Sequence, residues 1–292
     1  QVKVTIEKSS ASDATTATIT ISEYGSSNTE NVVVVNVRRK GTNIYEPETS
    51  PVGAFSVADG KLVYFSQGNL QYHAYDDMWR FAEHQYDIIG EDNLNISDTY
   101  NGWIDLFGWG TGRNPTLSSE VDSDYSDFVD WGVNHPSNGG NAANRWRTLT
   151  KDEWEYIYSG RKGAAGKRSQ GIIDGINGLI LLPDSWSIPS GMSFTPNAND
   201  WTTNTYSAAD WTKMEEAGAV FLPAAGFRNG TGELSIKMKV DSYSIFPYGY
   251  YWSSQPDGNK DAYDFIFTVD NINPHYSLYR HYGQSVRLVL DL

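Results

Sequence analysis

The sequence predicts an α+β protein with many short strands and few short helices, preceded by a small all-β module. Three observations lead to this prediction. Segments with the two-residue alternation of β-strands recur along the chain, whereas only two segments have the three- and four-residue spacing of a helix. The 27 glycines and the aromatic content of 14% are typical of a folded, loop-rich protein. A chain of 292 residues has room for one large domain and a small one.

Residues 1–48 are predicted to form the small all-β module. Strands are predicted at Val2–Ile6, Thr15–Ser22 and Asn31–Arg39, and the second of these alternates most regularly. A segment of about 45 residues builds only a small core. The module is therefore either an immunoglobulin-like domain or a partial sandwich. The acidic, proline-containing segment EPETSPV is predicted to link it to a second domain over residues 53–292.

Two helices are predicted in the second domain. Thr150 and Glu153 form a capping box, in which the hydroxyl and the carboxylate satisfy free N–H groups of the first turn. The aromatic and aliphatic residues that follow have helical spacing up to Gly160. Ser207 opens the second helix, and Gly218 is predicted to end it.

The last fifty residues are predicted to form three strands joined by two loops. The strands are Tyr250–Ser254, Ala262–Val269 and Ser285–Leu290. The loops are Gln255–Asp261 and Asp270–Gly283, and the second loop holds three tyrosines and two of the chain's 5 histidines.

Composition excludes several classes of function. The formal net charge of −14, without a basic stripe, predicts that the chain does not bind nucleic acid. The absence of cysteine excludes thiol nucleophiles, cysteine-ligated metals and disulfides. No apolar run reaches the ~20 residues of a membrane-spanning helix. Because the chain starts at Gln1 directly before a strand-like segment, we expect that a leader has been trimmed.

The second domain resembles a known family in the order of its sequence blocks. These blocks are GAFSVADGKLVYFSQGNLQY, WRFAEHQYD, DLFGWGTG, WRTLTKDEWEYI, GLILLPDSW, EEAGAVFLPAAGFRNG, GYYWSS and YGQSVRLV. Over residues 53–292 they resemble the C-type-lectin-fold domains of surface proteins from gut Bacteroidales and from Fibrobacter. That group is related to the formylglycine-generating-enzyme fold and includes the variable proteins of diversity-generating retroelements.

The resemblance implies a C-type-lectin-like domain whose last strands and loops present a ligand-binding face. In the diversified members, Asn, Asp, His, Ser and Tyr accumulate at exposed positions between a YWSS-like strand and an SVR-like strand. The corresponding candidates here are Tyr251, Asp257, Asn259, Asp261, Tyr263, Asn271, Asn273, His275, Tyr276, Ser277, Tyr279, His281 and Tyr282, with Arg228 flanking the face. Tyrosine would supply rigid contact area, and the small polar residues would supply adaptable hydrogen bonds.

Three of these assignments have a purely structural alternative. Tyr251 and Tyr263 could instead pack in the core with a satisfied hydroxyl, and Arg228 with the following Asn-Gly could be a tight turn.

The function expected from the resemblance is cell-surface binding or adhesion. The ligand would be a protein or a glycan, and the location would be the outer-membrane surface of a bacterium, with a lipid anchor at the removed N-terminus as one means of attachment. Whether a retroelement diversifies this chain is not visible in one sequence. A structural adhesion or pilus subunit that assembles through its N-terminal strands is an alternative function.

The resemblance also raises an enzyme alternative. Formylglycine-generating enzymes use paired cysteines, which this chain lacks. Because the sequence also shows no other catalytic constellation, we predict that the chain is not an enzyme. A relative that keeps an iron site would need two histidines and a carboxylate, or three histidines. The histidines of this chain show no such spacing, and His73, His84 and His135 are predicted to be structural.

No cofactor is predicted, with Ca²⁺ as the alternative. Gln255-Pro-Asp257 matches the QPD motif of galactose-type animal lectins, and Asp257, Asn259 and Asp261 alternate as oxygen ligands would. The partner motif WND is missing, so a polar turn is the default interpretation.

Overall fold

The computed structural model describes residues 52–230 and 248–292 with their side chains, and the backbone of strands at 16–21, 33–38 and 233–234. The chain forms two units, Gln1–Pro51 and Val52–Leu292. In the first, β1 (Thr16–Ile21) pairs antiparallel with β2 (Val33–Arg38). These strands confirm two of the three predicted for this segment, and Val2–Ile6 lies outside the described residues.

The regular secondary structure of the second unit consists mainly of short strands. In chain order they are β3 (Phe55–Ala58), β4 (Lys61–Phe65), β5 (Leu70–His73), β6 (Met78–Phe81), β7 (Trp103–Ile104), β8 (Arg147–Thr148), β9 (Arg168–Ile173), β10 (Ile176–Leu181), β11 (Thr205–Tyr206), β12 (Val220–Pro223), β13 (Arg228–Asn229), β14 (Glu233–Leu234), β15 (Gly249–Asp257), β16 (Asp261–Phe267), β17 (Ile272–Tyr279) and β18 (Leu288–Asp291).

The two predicted helices are confirmed. Helix α1 (Lys151–Glu155) has both hydrogen bonds of the capping box and continues into one π-helical turn. Helix α2 (Ala208–Glu216) is capped by the Ser207 side chain. Gly218 follows it with φ +97°, a left-handed conformation that glycine adopts without steric cost. Short 3₁₀ turns lie at Gly90–Asn95, Asp122–Tyr125, Trp131–Val133, Ala164–Lys167 and Trp201–Thr203.

The strands form several small sheets. Two sheets have four strands, in the orders β3-β4-β18-β8 and β11-β9-β10-β12. Two have three strands, β6-β5-β7 and β15-β16-β17, and β13 pairs with β14. Strand β18 pairs antiparallel with β4, so the end of the chain closes the sheet that the second unit begins. It starts at Leu288, three residues later than predicted.

Aromatic and aliphatic side chains from distant segments form the main core of the second unit. Trp154 of α1 is fully buried and contacts the rings of Tyr251 and Phe265 from the C-terminal sheet. Leu179, Leu222 and further side chains of β3, β4, β10 and β12 complete this core. Helix α1 therefore fixes the C-terminal sheet against the rest of the unit.

The described residues confirm the α+β class, since strands dominate and the helices are few and short. None of the helices within 52–230 and 248–292 combines the length and the apolar composition that crossing a bilayer requires.

Candidate ligand-binding face

The candidate face is built on the sheet of β15, β16 and β17. Strand β16 lies in the centre and pairs antiparallel with both neighbours. Its alternation places Phe265 and Phe267 in the main core and Asp264 on the opposite side. The two strands β15 and β16 are largely buried, and so they give the edge strand β17 a fixed base.

The prediction of a loop at Asp270–Gly283 is wrong over most of that segment, because Ile272–Tyr279 forms β17. Likewise, β15 continues to Asp257, into the predicted loop Gln255–Asp261. The side chains of β17 are exposed or half-buried on both faces, so the sequence has no apolar alternation there. Backbone pairing with β16 alone makes it a strand, and Pro274 is compatible with an edge position.

Most of the predicted face residues reach the surface. The exposed ones are Asn259, Asn271, His275, Tyr276 and Tyr279, and the half-buried ones are Asp257, Asp261, Tyr263, Asn273, Ser277, His281 and Tyr282. The exposed fractions of Tyr276 and Tyr279 are 39% and 45%, large for aromatic side chains.

Tyr251 does not belong to the surface, and its prediction as a ligand-binding residue is wrong. Its side chain is 0% exposed and stacks on Phe267 in the main core. The hydroxyl donates to the carbonyl of Pro223 at 2.8 Å and accepts from the Asn69 amide. The segment YYWSS has no alternation of polar and apolar residues, so its pattern does not show which tyrosine points inward.

Arg228 is also buried, at 1% exposure, and the prediction that it flanks the face as a contact residue is wrong. Its Nη1 donates to the hydroxyl of Ser118 and to the carbonyl of Gly230. Burial lowers the pKa of its guanidinium. The backbone of Arg228 exchanges hydrogen bonds with Gly283, so it supports the segment that follows β17.

Four rings around the end of β17 form what we call the aromatic cluster: Phe227, Tyr279, His281 and Tyr282. Tyr279 stacks on His281 with ring centres 5.3 Å apart, and Tyr282 meets both rings edge to face. Phe227 stacks on Tyr282 at 5.0 Å. These contacts hold the exposed Tyr279 in one orientation.

Two anchors fix the backbone of the aromatic cluster. The buried side chain of Arg280 donates to the carbonyls of Asp261 and Gly258 at 3.0 and 2.9 Å, and it lies 4.4 Å above the ring of Trp109. The imidazole of His281 lies 2.8 Å from the carboxylate of Asp122. The turn after β17 is therefore tied to three other segments of the chain.

Acidic side chains lie close to both anchors. Burial raises the pKa of Asp261, and the neighbouring carboxylates of Asp257 and Asp122 raise it further. The surface beside the aromatic cluster thus carries negative charge, which favours neutral or cationic ligands over anionic ones.

A buried polar pair, Asp264 and Gln284, lies on the side of the same sheet that faces away from the main core. Asp264 is 0% exposed and accepts one hydrogen bond of 2.9 Å from Gln284, while its Oδ1 has no partner. Burial raises the pKa of Asp264 to about 8, so the carboxylic acid is mostly neutral at pH 7. Burial also raises the pKa of Tyr250, as do the nearby Asp264 and further tyrosines, Tyr276 and Tyr282 among them.

The middle of β17 lies against helix α1. The Nε2 atom of His275 is 2.8 Å from the carboxylate of Glu155, and the Lys151 ammonium lies 4.6 Å from the centre of the Tyr263 ring. His275 and His281 therefore take part in two different environments, His275 within the strand and His281 just after its end.

Asp152, Glu155 and His275 are the residues that could hold a metal. Each offers one ligand atom, and these atoms lie within 4.8 Å of one another. The calcium ligands suggested by the sequence lie elsewhere: Asp257 and Asp261 are cross-strand partners at the turn of the β15–β16 hairpin. They are not part of the group of ligating side chains found among the described residues.

Sequence reasoning missed several residues of the face. Phe227 had a signal, since it directly precedes Arg228 in a glycine-rich block. Asp122 lies in an acidic segment and Glu155 on the first predicted helix, and neither pattern indicates a histidine partner that is distant along the chain. Arg280 gave no signal, because a single arginine in a polar segment is usually exposed.

A separate cleft of about 290 Å³ lies between β6 and the segment after Trp131. It is lined by Asp77, Met78, Trp79, Asn134, His135, Ser137 and Asn141. His135 is exposed at this cleft, His84 is exposed beside Asp87, and His73 is buried beside Trp103.

No family model, no curated protein and no solved structure matches the chain.

Proposed function

We propose that the unit Val52–Leu292 is a ligand-binding module of a bacterial cell-surface protein, with the aromatic cluster at the centre of its binding face. The observation that carries the proposal is Tyr279, which is 45% exposed yet held by stacking on His281 and by an edge contact with Tyr282. An exposed aromatic ring in a fixed orientation loses little conformational entropy on binding, and such rings dominate binding energy in many interfaces.

The scaffold supports this role. Arg280 is 5% exposed, and its hydrogen bonds to Asp261, Gly258 and Tyr125 prevent the turn below the cluster from rearranging. Tyr276 and Asn273 can change identity without disturbing the main core, because their side chains lie outside it. A binding face with variable side chains on a buried base is what the resemblance to retroelement-diversified lectin-fold proteins implies.

The charge of the face narrows the ligand class. Asp122, Asp257 and Asp261 make the surroundings of the cluster acidic, and the whole chain has a formal net charge of −14. Anionic surfaces are repelled by such a field. A neutral glycan stacked on Tyr279, or a basic patch of a protein, fits both the rings and the charge.

The experiment is a binding screen with matched tyrosine variants. The labelled chain is applied to arrays of neutral glycans and of purified basic and acidic proteins. We expect a neutral glycan or basic protein to be retained by the wild type and by Tyr75→Ala, which removes a 68% exposed ring elsewhere. Retention should drop at least tenfold for Tyr279→Ala and His281→Ala. Equal retention by all variants, or binding only to acidic partners, would contradict the proposal.

Adhesion at the outer-membrane surface, lipid anchoring and the C-type-lectin-like fold remain predictions from the resemblance, and the immunoglobulin-like module remains a prediction from the strand pattern of residues 1–48. The DNA beside the gene tests the diversification: a near-copy of its 3′ end that differs at adenines, next to a reverse transcriptase, would support it. The iron-enzyme alternative would be supported by stoichiometric iron in the purified protein, and the pilus-subunit alternative by concentration-dependent assembly.

A further inference from the structure

We propose that Asp152, Glu155 and His275 form a binding site for a divalent transition metal ion, with Zn²⁺ as the preferred ion. The site joins helix α1 to the middle of the edge strand β17 and shares no residue with the aromatic cluster. It does not depend on the proposed function.

The first argument is the geometry of the three side chains. Asp152 and Glu155 are three residues apart on α1, and this spacing places both carboxylates on one face of the helix. His275 reaches the same point from β17, where its Nε2 is 2.8 Å from Glu155. The three ligand atoms lie within 4.8 Å of one another, whereas tetrahedral Zn²⁺ with nitrogen and oxygen ligands needs separations of about 3.3 Å. Small rotations of exposed side chains close this gap.

The second argument is the chemistry of the donors. One imidazole nitrogen and two carboxylates suit Zn²⁺ and its neighbours in the first transition series. Calcium and magnesium prefer oxygen-only sites, and so the histidine disfavours them. The histidine also separates this group from ordinary acidic surface pairs, because it comes from a different element of the fold and already points at the carboxylates.

Exposure and charge set the expected affinity. The exposed fractions of the side chains are 72% for Asp152, 47% for Glu155 and 38% for His275. The Lys151 ammonium lies 3.5 Å from Asp152 and competes with a cation for that carboxylate. We therefore expect micromolar binding with water in the remaining coordination positions.

The ion would cross-link helix α1 and strand β17, which are distant along the chain and contact each other through side chains such as His275 and Glu155. An ion bound to the folded chain and not to the unfolded one stabilises the folded state in proportion to its occupancy. Zn²⁺ should therefore raise the melting temperature of the chain.

The test is calorimetric titration of the full chain with Zn²⁺ alone at pH 7.5, together with thermal unfolding with and without the ion. We expect one equivalent to bind and the melting temperature to rise by a few degrees. His275→Ala and Glu155→Gln should each weaken binding at least tenfold and remove this rise.

His84→Ala is the matched control. It removes an exposed histidine whose Nδ1 lies 3.2 Å from Asp87, but which belongs to no three-residue group among the described residues. We expect this variant to bind Zn²⁺ as the wild type does. Unfolding without metal verifies that each variant is folded. The proposal is overturned if the wild type binds no Zn²⁺, or if His275→Ala binds as tightly as His84→Ala.

Discussion

Strands β16 and β17 are neighbours in one sheet but are under opposite constraints. In β16, Phe265 and Phe267 are 0% exposed and pack in the main core, and even Asp264 is fully buried. In β17, every residue is exposed or half-buried. The central strand therefore determines where the sheet lies, whereas the side chains of the edge strand lie at the surface. The comparison shows how a domain can change its surface chemistry without changing its fold.

The pH dependence of stability tests the burial of β16 most strongly. The folded-state pKa of Asp264 is raised to about 8, above the ~3.9 of an unfolded chain. The contribution of Asp264 to the free energy of unfolding is therefore complete below about pH 4, and it is lost as the pH rises to about 8. At ~1.4 kcal/mol for each pKa unit, the loss amounts to several kcal/mol.

Urea unfolding of the wild type and of Asp264→Asn between pH 5 and pH 9 measures this loss. Burial also raises the pKa of Asp105 to about 6. Asp105 therefore also makes the chain less stable as the pH rises, but only up to about pH 6. Asp264→Asn should therefore flatten the profile between pH 6 and pH 8. A variant profile as steep as that of the wild type in this range would show that Asp264 is not buried.

Truncation of a core ring gives the next largest effect. Phe265→Ala should lower the free energy of unfolding by ~3–5 kcal/mol, because it leaves a cavity beside Trp154 and Tyr158. Tyr276→Ala on the edge strand should change it by no more than ~0.5 kcal/mol. Chemical denaturation of both variants measures the difference, and similar losses would break the contrast between the two strands.

Removal of the Arg280 anchor should have an intermediate effect. Arg280→Ala leaves several backbone carbonyls without their donor and exposes the ring of Trp109. We expect a loss of ~1.5–3 kcal/mol, typical of hydrogen bonds to a charged group. Arg280→Lys, which cannot donate to several carbonyls at once, should fall between this variant and the wild type. An Arg280→Ala variant as stable as the wild type would contradict the anchoring role.

The smallest effect on stability is expected at the aromatic cluster itself. Tyr279→Ala should change the free energy of unfolding by less than ~0.5 kcal/mol, since nearly half of the side chain is already exposed. Thermal unfolding together with the binding screen separates the two roles of the ring. A large loss of stability would show that Tyr279 is a structural residue.

The sequence predicted those elements that local chemistry specifies. The capping box at Thr150 and the hydroxyl cap at Ser207 involve residues only three positions apart, so both helix starts are visible in the chain. In strand β1 the residue type alternates at every second position, which is also a local pattern that the sequence shows. The resemblance to lectin-fold domains gave expectations for the arrangement of these elements that composition alone does not give.

The remaining features depend on residues that are distant along the chain. Strand β17 exists because β16 pairs with it, and its own residues have no apolar alternation. Arg228 is buried against Ser118, and His275 meets Glu155 on a helix 120 positions earlier. Local patterns do not encode such contacts. The direction of Tyr251 was missed for the same reason, since Asn69 and Pro223 determine where its hydroxyl lies.

Pro274 affects how copies of this protein can meet. It removes one backbone N–H group from the edge strand, because proline has no such group, and it lies at the register irregularity between β16 and β17. Register irregularities on both sides of β16 twist the same sheet further. Pairing of β17 with an edge strand of another copy is thereby disfavoured.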